Sequence, residues 1–187
     1  KVPDGVDARR PLKNGGIANY RLAEALLRKF FDKALGKIRL IRPEVIVSVP
    51  AGLNSVEERA IIQALHSVGA GKIFLLPEPV AAAIGAEMPI NTSTGNLIVN
   101  LGGGTAEIAI LSLNGIVSFE SHIGSGDAMN DSIVSFIKKK YSVQIGEQSA
   151  ENLKMTIGSA LPMNNPLEFE VRGKNVKTGQ PASITLN

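Results

Sequence analysis

Four features of the chain carry residues of a type and spacing suited to chemistry on a phosphate. The first is Asn100-Leu-Gly-Gly-Gly-Thr-Ala-Glu107, where the apolar run Leu97-Ile-Val99 leads straight into three consecutive glycines. Consecutive glycines cost backbone entropy, so a strand-to-strand turn built from them calls for a reason. A backbone without side chains lets several N–H groups approach a phosphate closely, and the Thr105 hydroxyl offers a further donor. A tight hairpin with unusual φ angles is the alternative, although a single Asn-Gly pair achieves that more simply. The turn is not a Walker loop, since no Lys-Ser or Lys-Thr follows and a strand comes next instead of a helix. The second feature is Glu78, held between Pro77 and Pro79 directly after an apolar run. The C-terminal end of a parallel strand is where α/β folds place ligand-facing groups. Prolines on both sides stiffen the backbone there, and a general base that orients water could be held in this way. The alternative is an acidic first-turn residue of the next helix. The third, Gly124-Ser-Gly126-Asp127, opens a predicted helix, which suits either an anion at the helix N-terminus or a loop chosen for conformation. The fourth is Glu151 with Lys154, three apart and thus on one helical face. Such a pair is ordinarily a surface ion pair of little energetic weight.

The elements that must position these residues follow from periodicity. Residues 17–35 read as an amphipathic helix, with Leu22, Leu26, Phe30 and Ala34 four apart, Ala23, Leu27 and Phe31 beside them, and Gly36 as the stop. Residues 44–49 form a short buried strand closed by Pro50. Ser55 lies three residues before Glu58, the spacing of a capping box, and helical periodicity runs over 56–65 until Gly69. A second strand at 72–76 and a short Ala-rich helix at 80–84 complete an alternation that implies a parallel sheet with crossover connections. After the linker-like Asn91-Thr-Ser-Thr-Gly95, the strand-like runs 96–101, 105–111 and 116–121 are separated by short turns and should be antiparallel neighbours. Helices at 127–141 and 149–157 follow. From Pro162 the tail alternates as a β-structure does, through Leu167, Phe169 and Val171. The expected division is an α/β first lobe over 1–94, a second lobe over 95–161, and the start of a small β-containing subdomain over 162–187.

Composition narrows the functional classes. The 187 residues are 44% apolar and carry a formal charge of +3, with basic residues scattered except for Lys138-Lys139-Lys140. That run falls where a helix should end and complements the helix dipole. No aromatic residues interleave with basic ones as a single-strand nucleic-acid groove requires, so no nucleic-acid partner is expected. Without cysteine, thiol catalysis, disulfides and thiolate metal sites are excluded. His66 and His122 have no carboxylate at helical spacing, which argues against zinc. No apolar stretch is long enough to span a bilayer and no signal peptide is visible, so a cytosolic location is expected. The chain opens at Lys1 with no initiator Met and stops just after Ala182-Ser-Ile-Thr-Leu186, which suggests a piece of something longer.

Taken together, the segments resemble the MreB family, the actin-like cell-shape proteins of rod-shaped bacteria. The resemblance rests on Arg10-Pro-Leu-Lys-Asn-Gly-Gly-Ile-Ala18, Val45-Ile-Val-Ser-Val-Pro50, Val56-Glu-Glu-Arg-Ala-Ile61, Glu78-Pro-Val-Ala-Ala-Ala-Ile-Gly85 and Asn100 to Glu107. It continues through Ile145-Gly146, Ile157-Gly-Ser-Ala160 and Glu170-Val-Arg-Gly173. Their order and spacing together are specific. DnaK-type chaperones and sugar kinases share the nucleotide fold and the glycine turn but would not match the other segments. The resemblance implies an actin-like (ribonuclease H-like) α/β ATPase fold that binds ATP and Mg²⁺. It also implies self-association into filaments, attachment to the inner face of the cell membrane, and work with cell-wall synthesis proteins to maintain rod shape. Under it, Gly102, Gly103, Gly104 and Thr105 fall on the second phosphate motif, and Glu78 on the catalytic acid that positions attacking water. Glu151, Asn152, Leu153 and Lys154 fall on a helix that contacts the nucleoside. Leu40 and Ile41, between Arg39 and Arg42, match a loop that some members insert into the membrane, and an apolar tip flanked by cations suits anionic headgroups. The same pair could instead begin the next strand. Two departures matter. The family usually has Asp where this chain has Asn100, a carboxylate that helps hold Mg²⁺ through water, and commonly has a second Thr where this chain has Ala106. Both put hydrolysis in question and leave a hydrolysis-weak nucleotide-binding scaffold, or a small-molecule kinase of the superfamily, as alternatives. The family's first phosphate motif would precede Lys1 and its adenosine motif would follow Asn187, so the cleft is not complete within these residues.

Overall fold

In the computed structural model, residues 9–13, 15–36 and 41–187 are described. The chain forms two compact units, Lys1–Ile123 and Gly124–Asn187.

The first unit opens with a small antiparallel hairpin, β1 (Leu12–Lys13) and β2 (Gly16–Ile17), in which Leu12 faces Ile17. Helix α1 (Tyr20–Leu35) begins three residues later than its periodicity predicts, because residues 16 and 17 are taken by β2 and Asn19 caps the helix. The Asn19 side chain accepts from the Leu22 amide at 3.1 Å, and Gly36, with φ 81°, ends the helix as expected. Strand β3 (Val45–Val49) is followed by α2 (Ser55–Ser67). The capping box is real but sits one residue earlier than predicted. Asn54 accepts from the amides of Val56 and Glu57 at 2.9 and 3.0 Å, and Glu57 accepts from the Asn54 amide at 3.0 Å. A cap must be extended while its carbonyl starts the helical ladder. Asn54 does both, with φ −78°, ψ 163° and a bond from Glu58 N–H at 3.0 Å, whereas Ser55 is already helical.

Strand β4 (Ile73–Pro77) pairs in parallel with β3, from Val45 opposite Ile73 to Val49 opposite Pro77, and runs directly into α3 (Glu78–Gly85). Phe31 of α1 and Leu65 of α2 are buried against Val45, Val47 and Ile73, so two helices cover one face of this strand pair. The meander is β5 (Asn96–Leu101), β6 (Thr105–Ser112) and β7 (Gly115–Ile123), antiparallel throughout and in that order. Between β6 and β7, Leu113 and Asn114 have φ of 50° and 61°, the sign pattern of the hairpin turn that matches strand twist. Along β6, Thr105, Glu107, Ala109 and Leu111 point inward, and Ala109 and Leu111 pack with Val80 and Ala83 of α3 and with Ile90. On the other face Leu97, Val99, Leu101, Ile108 and Ile110 are exposed. The sheet that was expected to begin a second lobe therefore belongs to the same compact unit as β3, β4 and α3.

The second unit contains α4 (Gly126–Tyr141), β8 (Val143–Gln144), α5 (Glu147–Ile157), β9 (Phe169–Asn175) and β10 (Pro181–Leu186). Its strands lie in the order β10-β9-β8, all antiparallel. Ile137, Val143, Ile145, Ala150, Leu153 and Val171 form its buried core. Lys138, Lys139 and Lys140 occupy the last turn of α4, where positive charge meets the dipole, and the Lys140 ammonium stands 5.2 Å above both the Phe136 and Tyr141 rings.

Candidate phosphate-binding site

Glu78 is both things the sequence offered: it follows the end of a parallel strand and is the first residue of α3, with Pro79 behind it. Its Oε2 accepts a hydrogen bond at 3.2 Å from Nδ2 of Asn100 on β5. The residue at the entrance to the glycine turn is thus tied to the acid expected to orient water. Directly across the strand pair from Asn100 stands Glu107 of β6. Glu107 has no exposure, and its Oε1 accepts from the Ala51 amide at 2.7 Å. Burial and the Glu107 charge hold the Glu78 carboxyl above the usual glutamate range, and the Asn100 hydrogen bond partly offsets them.

The glycine turn is not explained by conformation. None of Gly102, Gly103 and Gly104 has a positive φ, so the alternative of a hairpin needing unusual angles falls away. Space matters at its first position: Gly102 N–H donates to the Thr105 carbonyl at 2.8 Å, and a Cβ on Gly102 would stand 3.1 Å from that oxygen. Gly102 and Gly103 are exposed, which leaves this stretch of backbone open to a ligand. Thr105 is nearly buried at the wall of a cavity of roughly 480 Å³ that is also lined by Pro50, Ala51 and Gly52. Gly15, at φ 78°, lets the β1–β2 hairpin approach this wall, since a Cβ there would lie 2.9 Å from the Pro50 ring and 3.0 Å from the Thr105 methyl.

In the second unit, Lys154 Nζ pairs with Glu151 Oε2 at 2.7 Å and also donates to the Gly126 carbonyl at 3.2 Å. The same Glu151 oxygen accepts from Asn130 Nδ2 at 2.6 Å. The surface pair read from spacing is therefore a partly buried cluster joining α5 to the start of α4. Asn152 is exposed and accepts from Gln148 at 3.1 Å, whereas the Leu153 side chain is turned into the hydrophobic core. Gly124 has φ 98°, which supports the conformational reading of Gly124-Ser-Gly126. Ile41 is 84% exposed, and Leu40 lies outside the described residues. Among the described residues no three His, Cys, Asp or Glu side chains are grouped to hold a metal, and no helix is long and apolar enough to cross a membrane.

Sequence reasoning missed Glu107 and Asn130 as parts of these clusters. For Glu107 the signal was present: on alternating β6 it shares its parity with Ala109 and Leu111, so a charged residue occupies an inward position. Asn130 carried no comparable signal, being one of several polar residues on an amphipathic helix.

A parallel βαβ element whose acid meets a glycine turn opening an antiparallel meander defines the actin-like ATPase fold. The whole chain superposes on MreB5 of Spiroplasma citri bound to AMPPNP, and on the same protein bound to ADP, with a TM-score of 0.91, 28% identity and coverage of 56% of that chain. The fold of a MamK double helical filament subunit is also similar, with a TM-score of 0.74 at 19% identity, covering 95% of this chain and 54% of that one. The chain belongs to the MreB/Mbl protein family, whose sequence profile matches residues 1–187. It is 41% identical over 189 residues to the cell shape-determining protein MreB of Escherichia coli strain K12, an alignment covering all of this chain and 54% of that relative. The chain thus spans about half the length of the curated relatives it matches.

Proposed function

We propose that the protein containing this chain is a nucleotide-dependent filament subunit that binds ATP with Mg²⁺, assembles at the inner face of the cell membrane and organises cell-wall synthesis to maintain rod shape. The hydrogen bond between Asn100 and Glu78 carries the reading, because it sets a potential base beside the glycine turn. The exposed backbone of Gly102 and Gly103, the half-buried Gly104 and the Thr105 hydroxyl would cradle the β- and γ-phosphates. Glu78 would accept a hydrogen bond from water through its carboxylate, orienting the oxygen that bonds to the γ-phosphorus as the bond to the β–γ bridging oxygen breaks. The water's proton leaves to Glu78 or to a phosphate oxygen. Glu151 and Lys154 would contact the nucleoside, with Asn152 at their side. That two relatives of this fold are described as nucleotide-bound and as a filament supports the same reading.

When bound, Mg²⁺ would supply positive charge that offsets the charge of the phosphates. Among the described residues no three His, Cys, Asp or Glu side chains form a cage for it, and Mg²⁺ commonly keeps several of its waters. Asn100 donates through Nδ2, so its Oδ1 is the atom left to accept from such a water. Ile41, exposed and followed by Arg42, would dip with Leu40 into an anionic lipid surface. The test is sedimentation of the full-length protein with ATP and Mg²⁺, together with phosphate release and nucleotide binding. Absence of both filaments and binding rejects the proposal. A second reading, a nucleotide-binding scaffold with little turnover, is favoured by Ala106, which lacks a hydroxyl near the phosphates. Binding and filaments without phosphate release would select it.

A further inference from the structure

A wholly buried carboxylate in a sheet face packed against Val80 and Ala83 is costly unless it is fully used. Glu107 has 0% exposure and occupies a position where a Val or Thr would be buried with no charge to compensate. One oxygen is accounted for. Oε1 accepts from Ala51 N–H at 2.7 Å, a bond between residues 56 apart in the chain. Ala51 lies in a loop that meets the same sheet face at a second point: Gly52 has φ 80°, and a Cβ there would stand 2.8 Å from the ring of Phe119, whose strand partner is Ala109. Loop 50–52 therefore rests on both a carboxylate and an aromatic ring, and it walls the same cavity as Thr105.

The second oxygen is not accounted for. Glu107 Oε2 is buried and has no hydrogen-bond partner among the described residues. Its cross-strand neighbour Asn100 passes its amide to Glu78, so three polar side chains share one side of the β5–β6 pair. The Glu107 charge is one of the influences felt by the Glu78 carboxyl. Two carboxylates that cannot hydrogen-bond each other when both are ionised are readily joined by a water donating to each.

We propose that Glu107 is a positioning residue of the phosphate site: Oε1 pins loop 50–52 through the Ala51 amide, and Oε2 accepts a hydrogen bond from a water that Glu78 also holds. This rests on the hydrolysis reading above for its second half only. Glu107 does not itself take the proton; it fixes the wall of the cleft and restricts the orientation of the water.

The experiment uses the full-length protein with Glu107→Gln and Glu107→Met. The Gln carbonyl can still accept from Ala51, but its amide group cannot accept from water, and Met can do neither. Amide exchange at Ala51, measured without nucleotide, should stay within about threefold of the parent in the Gln variant and rise about tenfold or more in the Met variant. Phosphate release should fall about tenfold or more in both variants, with nucleotide affinity in the Gln variant within about threefold of the parent. Unchanged Ala51 exchange in the Met variant overturns the pin. Parent-like phosphate release in the Gln variant overturns the role of Oε2. Should the Met variant not fold, a rise of Ala51 exchange in the Gln variant to tenfold overturns the pin by itself. A parent that binds nucleotide but releases no phosphate rejects the hydrolysis reading instead, and the exchange measurement still decides the pin.

Discussion

Replacing Asn100 by Asp should destabilise this protein when no metal is present. Asn100 Nδ2 donates to Glu78 Oε2 at 3.2 Å, and a hydrogen bond to a charged group contributes about 1.5–3 kcal/mol. An Asp in the same place loses that bond and sets a second carboxylate against Glu78. Like charges about 4 Å apart repel by about 1 kcal/mol in water and about 4 kcal/mol at the effective dielectric of a protein surface. Glu78 is half-buried, so the combined loss should be about 2.5–7 kcal/mol once both acids are ionised. The assay is urea unfolding of full-length Asn100→Asp and parent at about pH 8, with and without Mg²⁺, repeated at about pH 5. The deficit should be largest at the higher pH without metal. It should shrink on acidification as one carboxyl takes up a proton, and shrink again as Mg²⁺ is added, because a cation offsets the repulsion between two carboxylates, a repulsion that the amide–carboxylate pair of the parent lacks. An Asn100→Asp protein that unfolds at the parent midpoint at pH 8 without metal would refute the reasoning, as would a deficit indifferent to pH.

Other outcomes follow from the same geometry. Glu78→Gln should lower phosphate release about 10²–10⁴-fold with nucleotide affinity little changed, as expected for loss of a water-orienting base. It should also flatten part of the pH dependence of stability. The folded state holds the Glu78 proton to a higher pH than the unfolded chain does. That contribution is complete below the ordinary glutamate range and disappears as pH rises through the raised value, which urea unfolding across acidic to neutral pH will show. Leu111→Ala, at a side chain with 0% exposure between the sheet and α3, should cost about 2–5 kcal/mol by the same measurement. Ile41→Glu should weaken binding to anionic vesicles in a flotation assay while leaving thermal stability unchanged, since Ile41 is almost fully exposed.

Much of the fold was legible because its elements announce themselves locally. Gly36 stops α1, Pro50 closes β3, and the alternation of β6 and the glycine turn between β5 and β6 all show in short windows of sequence. What escaped depended on single residues or distant partners. The capping box moved by one position because Asn54 and Ser55 are both good caps and only the backbone angles choose between them. The two-residue strands of the β1–β2 hairpin and β8 are too short to show a period. In the site, Asn100 and Glu78 were both singled out, but nothing in the sequence joined residues 22 apart by a hydrogen bond. The parity of Glu107 could have flagged it. Its Ala51 partner, 56 residues away, could not have been named without the fold.

The bare outer face of the meander has a practical consequence at the bench. Leu97, Val99 and Leu101 on β5, an edge strand of its sheet, stand in water beside Ile108 and Ile110 of β6. Aliphatic rows on an open edge invite pairing with another chain. The 187-residue chain produced alone should therefore tend to precipitate or form soluble aggregates. Charged replacements at Val99 and Ile108, which face each other across the ladder, are the natural first changes for keeping it in solution.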